Sequence, residues 1–159
     1  MNAIAKMNRP EQAAKPMRAD QDYLSFTIGR QMFGVPVLKV QDVLNTRALA
    51  RIPLAPKEVA GSLNLRGRIV TAIDMRRRLD LADAAQGERH MSIVVDHQGE
   101  LYSLVVDSVG EVLQLTAEAF EPNPATLNAS WKDLSLGVFQ LRENLLIILD
   151  VERLLAFSN

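Results

Sequence analysis

The chain has 159 residues, is 48% hydrophobic and 23% charged, and carries a net charge of −1 with no cysteine. Disulfide and thiolate chemistry are excluded, and no apolar run reaches the ~20 residues that span a bilayer. The basic N-terminus lacks the apolar stretch of a secretory signal, and the length suits one domain or two small fused ones.

Residues 1–21, with Pro10, Pro16, several alanines and mixed charges, read as a flexible tail. From Tyr23 the pattern is β: Tyr23–Ile28, a turn at Gly29-Arg30-Gln31, then Met32–Val37. Val37–Leu44 reads as one helical turn leading into a strand, and Arg51–Pro56 as a proline-pinned loop. Leu63 and Leu65 alternate with Asn64 and Arg66, and Gly67 permits a tight turn into Arg68–Ile73. Met91–Asp96 and Glu100–Asp107 form a hairpin around His97-Gln98-Gly99. Glu111–Leu115, Leu134–Leu141 and Leu145–Asp150 complete the strands, and a last helix over Val151–Phe157 buries Val151, Leu154, Leu155 and Phe157.

Much of this pattern occurs twice. Gly61, Asn64, Leu65, Arg66, Ile69–Ile73, Asp74, Arg77 and Leu79 return as Gly137, Gln140, Leu141, Arg142, Leu145–Leu149, Asp150, Arg153 and Leu155. Phe33, Val35, Val37, Val40, Asp42, Val43 and Leu44 likewise return as Tyr102, Leu104, Val106, Val109, Glu111, Val112 and Leu113. The second copy holds extra residues around Ala117–Trp131. Two related halves of short strands and tight turns predict two small closed barrels.

Charge is unevenly spread. Residues 1–46 carry six basic and four acidic side chains, residues 47–78 eight and two, and residues 79–159 four and thirteen. A neutral whole with polarised parts favours protein partners of complementary charge. A nucleic-acid-binding barrel would need a broader basic face with stacking aromatics, and the aromatics number five Phe, two Tyr and one Trp.

Asp74, Asp107 and Asp150 each follow an apolar strand, where an aspartate can hold Mg²⁺. Asp74 and Asp150 also precede Arg- and Leu-containing stretches, as helix N-caps do, and their repetition suits capping better than a single active site. His90 and His97 have no further ligand at metal spacing. Neither a nucleophile motif nor a phosphate loop is present, so no catalytic residue, cofactor or metal is expected. Arg76–Arg78 read as a solvated charged edge. Arg66 differs, because a strand end beside a glycine turn can present its guanidinium rigidly. Val40 and Asp42 admit two readings: a core residue followed by a surface residue, or the floor and rim of a groove for a partner helix.

From Tyr23 to Phe157 the chain resembles the CheW family of bacterial chemotaxis coupling proteins. The likeness is carried by Phe26-Thr27-Ile28-Gly29, Val37–Val43, Gly61 through Asn64-Leu65-Arg66-Gly67, Ile73-Asp74-Met75-Arg76 and Val105 through Leu113, in the family's order. The resemblance implies an all-β fold of two intertwined SH3-like five-stranded β-barrels with short helices. It implies a single CheW-like domain over residues 22–157, made of two pseudo-repeated subdomains.

It further implies a non-enzymatic cytoplasmic adaptor, recruited to membrane-associated receptor arrays. One surface would bind the cytoplasmic tip of a methyl-accepting chemoreceptor, and another the regulatory domain of the histidine kinase CheA. Neither nucleic acid nor membrane insertion is expected. A CheW-like adaptor of a non-motility pathway is the alternative within the family. The family's receptor-binding positions fall on Val40, Asp42, Arg66 and Val112, with the valines as floor and the charged residues as rims. Thr71-Ala72 departs from the family's usual proline and branched residue, and Asp42 from its usual glutamate. The chain ends just after the second copy, so neither a receiver domain nor a kinase core is expected.

Overall fold

Alternation of apolar and polar residues produces strands throughout the second-copy and first-copy segments alike. The structure, a computed structural model, describes residues 21–85 and 88–157; the predicted tail therefore lies outside the described residues except for Gln21, which begins the first strand. In chain order the strands are β1 (Gln21–Ile28), β2 (Gln31–Pro36), β3 (Val40–Asn45), β4 (Val59–Leu65) and β5 (Arg68–Asp74), followed by helix α1 (Met75–Arg78). Then come β6 (Met91–His97), β7 (Glu100–Val106), β8 (Ser108–Leu115), β9 (Phe120–Glu121), α2 (Ala129–Lys132), β10 (Ser135–Gln140), β11 (Leu145–Leu149) and α3 (Val151–Leu154). A 3₁₀ turn at Val37–Lys39 leads into β3, as expected. Strand β8 starts at Ser108 rather than Glu111. The last helix stops at Leu154, leaving Phe157 beyond its end.

The strands form a six-stranded sheet, β8-β1-β2-β11-β10-β9, and a five-stranded sheet, β3-β6-β7-β5-β4. The sequence repeat equates β2 with β7, β3 with β8, β4 with β10 and β5 with β11, and β1 answers to β6 because it pairs with β2 as β6 does with β7. Exchanging each strand for its counterpart turns the second order into the first five strands of the other. Each sheet thus takes a hairpin from one copy and its remaining repeat strands from the other. The parallel pairs β2–β11 and β5–β7 are the seams, with Phe33 opposite Ile147 and Thr71 opposite Tyr102.

Each sheet also turns round on itself. Ala50, beyond β3, bridges to Ser62 of β4 through reciprocal backbone hydrogen bonds of 2.8 Å. In the other sheet β9, beyond β8, pairs with β10, Phe120 opposite Phe139. The glycine that follows the bulge in each β4-type strand makes room for this closure. Gly61 has φ 151° and would place a Cβ 2.6 Å from the Ala50 carbonyl oxygen; Gly137 has φ 153° and would drive one into the Phe120 ring.

Period-2 alternation then divides the apolar residues among three cores. Phe26, Phe33, Ile73, Ile93, Leu104 and Ile147 lie in the large core, which takes residues from both sheets together with Met75, Leu79, Val151 and Leu154 from the helices and their ends. On their opposite faces Leu63, Leu65, Val70, Ala72, Val94 and Leu101 fill one sheet's interior, and Tyr23, Phe139, Leu146 and Ile148 the other's. Trp131 joins the large core, donating its indole N–H to the Leu79 carbonyl at 2.8 Å. Among the described residues, no helix is long and apolar enough to cross a membrane.

Candidate functional site

The β4–β5 hairpin has a two-residue loop, Arg66-Gly67, with φ of 51° and 84°. Positive φ at both central residues matches the right-handed twist of the flanking strands. Arg66 therefore belongs to the turn itself rather than to the strand end, and Asn64 accepts the Gly67 N–H at 3.0 Å. The turn holds the Arg66 side chain out, 76% exposed, with Nη2 3.0 Å from the Asp42 carboxylate on β3. Strands β3 and β4 are the two ends of the five-stranded order, so this ion pair spans the gap between them. At such exposure it adds little to stability; its consequence is a guanidinium fixed in place with donors to spare.

A bulge in β3 between Val40 and Asp42 sets the faces. Val40 sits opposite Val95 and packs on the large core, while Asp42 and Leu44 face the other way, Leu44 onto the interior of its own sheet. Asp42 also accepts the Val43 N–H at 2.9 Å. Val112 lies on β8, the matching edge of the other sheet, opposite Leu24, and is 52% exposed. The structure thus joins Asp42 directly to Arg66, puts Val40 on the same strand, and places Val112 on the counterpart strand.

Two residues escaped the sequence reading. Val43, 36% exposed, is the counterpart of Val112, and Val109, packed on the large core, is the counterpart of Val40. The repeat that aligned these pairs was the available signal. The cost of ignoring it was half of a duplicated apolar strip.

The remaining chemical candidates have structural employment. Asp74 caps α1, accepting the N–H groups of Arg76 and Arg77, and Asp150 caps α3 in the same way through Glu152 and Arg153. Asp107 is no cap. Its carboxylate takes Arg76 Nη2 at 2.6 Å and Nε at 3.1 Å, and the Gly29 N–H at 2.7 Å. Burial pushes the Asp107 carboxyl upward, but the Arg76 hydrogen bonds, the Gly29 N–H and the guanidinium charge outweigh it and hold the group below its ordinary value.

The three arginines 76–78 are not a solvated edge. Arg77 pairs with Asp83 at 3.3 Å and Asp74 at 3.5 Å. Arg78 donates to the Leu154 and Arg153 carbonyls at 2.7 and 3.0 Å and lies over the Phe157 ring. The acceptors of Arg78 lie 75 and 76 residues on and Asp107 lies 31 residues from Arg76, beyond any local pattern, whereas the carboxylate partners of Arg77 are close in the chain. His90 and His97 are half-buried, and no cluster of potential metal ligands occurs among the described residues.

The CheW-like domain model matches residues 22–158. The chemotaxis protein CheW of Klebsiella aerogenes is 35% identical over 86% of this chain and 82% of its own length. Protein FrzA of Myxococcus xanthus is 28% identical over 85% of this chain and 84% of its length. The crystal structure of the scaffolding protein TtCheW from Thermoanaerobacter tengcongensis superposes with a TM-score of 0.77, covering 87% of this chain and 94% of that one at 24% identity; that likeness concerns the fold.

Proposed function

The chain belongs to the CheW-like family of chemotaxis adaptors, and on that premise we propose that it couples the cytoplasmic tip of a chemoreceptor to the regulatory domain of the histidine kinase CheA. In this reading residues 22–157 act as a single unit with no turnover of their own, held in the cytoplasm at receptor arrays by their partners. Val40 and Val112 form the apolar floor on which a receptor helix rests, and Asp42 and Arg66 fix its register from the rim.

The observation that carries this reading is the Asp42–Arg66 pair. A left-handed turn residue with its guanidinium 76% exposed, tethered at 3.0 Å across a sheet's edges, meets a partner already ordered. Little side-chain entropy then remains to be lost on docking. Val112, 52% exposed on the edge strand of the other sheet, and the half-buried Val40 on β3 supply the apolar area.

Backbone NMR shifts of the protein, titrated with a receptor tip hairpin and separately with the kinase regulatory domain, test the reading. Shifts clustering on Val40, Asp42, Arg66 and Val112 with the tip, and a distinct set with the kinase domain, are expected. Replacing Arg66→Ala should weaken tip binding by about 2 kcal/mol, roughly thirtyfold, as for an arginine hot spot. A folded variant that binds the tip as tightly as the parent would remove Arg66 from the site.

A further inference from the structure

The repeat gives Asp42–Arg66 a counterpart in Glu111 and Arg142, and the two places differ. Where β4 and β5 are joined by Arg66-Gly67, β10 and β11 are joined by a longer loop in which the Leu141 N–H bonds the Asn144 carbonyl at 2.8 Å. Gln140 is paired with Leu145, so Arg142 sits within the loop rather than at a tight turn. No ion pair joins Arg142 or Glu111 to any partner among the described residues. The gap that the first copy spans is left open in the second. It is a cleft of about 480 Å³ floored by Met32, Leu113 and Leu141, with Glu111, Arg142 and Glu143 at its margin.

The charge around this cleft is acidic on balance. Between Arg89 and Lys132 the chain contains neither lysine nor arginine, and of the acidic residues in that stretch Glu111, Glu118 and Glu121 lie on the β8 and β9 side of this sheet. Glu111, Glu118 and Glu121 are all exposed along β8, β9 and the turn between them. Arg142 stands alone against Glu111 and Glu143 at the cleft itself. Strand β8 is also continuous with the docking groove, since Val112 lies between Glu111 and Leu113 and projects to the opposite face.

We propose that this cleft is a second, selective contact for the same helical partner, which places an apolar side chain between Met32, Leu113 and Leu141 and a lysine or arginine against Glu111. The inference rests on the adaptor reading above and deepens it. The Arg66 end presents a pre-tethered group that any polar helix can use, whereas an unpaired carboxylate beside an apolar cleft rewards only a partner with a matching cation. Arg142 then opposes that cation, and its position limits which partners are accepted.

The test uses the whole chain and a receptor tip hairpin, with affinity measured by titration calorimetry at about 0.1 M and about 1 M salt. Glu111→Gln should weaken binding about threefold and Arg142→Gln should strengthen it about threefold, as expected for rim charges. Both effects should vanish in high salt, where exposed charges are screened. A merely structural role could not give opposite signs from replacements at two exposed positions.

Unchanged affinity in both variants, with the parent still binding the tip, would overturn the cleft while leaving the adaptor reading intact. Reversed signs would make the partner acidic at this point and overturn it equally. Cleft shifts in the free protein that grow with its own concentration would assign the cleft to a second copy and overturn it as well. Failure of the parent to bind the tip would overturn both.

Discussion

Asp107 shows how much one carboxylate can tie together. It links the start of β8 to α1 through Arg76 and to the β1–β2 turn through Gly29, with only 24% of its side chain exposed. Because its carboxyl is held below the ordinary range in the folded state, its contribution is fully present above the unfolded value, about pH 4, and is lost as pH falls through the lower folded value. Asp107→Asn should therefore cost about 2 kcal/mol at neutral pH, the range for hydrogen bonds to charged groups. Urea unfolding should show that gap closing in acid, as the parent's carboxyl is itself protonated. A gap that stays constant from neutral to strongly acid solution would mean that the charge is not what holds these elements.

The same residue marks a limit of sequence reading. Asp74, Asp107 and Asp150 look alike in the chain, each ending an apolar strand. The caps were legible because a cap's partners lie two and three residues on. Asp107's partner lies 31 residues away, beyond any local pattern.

At the scale of elements, duplication repeats detail as well as outline. Residues Asp74 and Asp150 have nearly the same backbone angles, φ −78° and −88° with ψ 105° and 108°. Each also pairs with the arginine three residues on, at 3.5 and 3.4 Å. Asp74→Ala and Asp150→Ala should each lower stability by about 1 kcal/mol, the usual loss of an N-cap. As the caps serve separate helices, the double variant should lose about the sum. Chemical denaturation of the two singles and the double would check this, and a double variant no worse than either single would show that the helices do not unravel independently.

Strand faces could be read from alternation, since Ile69, Thr71 and Ile73 must oppose Val70 and Ala72 whatever their neighbours. Which strand lies beside which could not. The parallel seams β2–β11 and β5–β7 join segments from different copies, and their registers are set by apolar side chains meeting across a sheet, with no turn to announce them. The proposed groove inherits this division. The turn singled out Arg66, while the repeat left Val40 and Asp42 with two readings and only the family resemblance chose between them; the ion pair across the sheet's ends required the fold.

For the whole molecule, strand exchange has a direct consequence for cooperativity. Neither copy can complete a sheet: the first would leave β2 without β11 and β5 without β7, and the second would leave the same seams open. Arg78 adds a tie between the copies by donating to the carbonyls of Arg153 and Leu154 at the end of α3. Trp131, from the second copy, packs edge-on to Phe33 of the first with ring centres 5.4 Å apart. Its fluorescence thus reports the shared core, while far-UV circular dichroism reports both sheets. We expect the two signals to fall together in a single urea transition, as two-state unfolding demands. Cutting the chain between Ala85 and Glu88 should give fragments that are unfolded apart and regain native dispersion when mixed, because the seams are restored only by association. Two separated transitions, or a fragment that folds alone, would mean that one sheet can close on strands from its own copy, and the exchange would then be an arrangement of the intact chain rather than a requirement of folding.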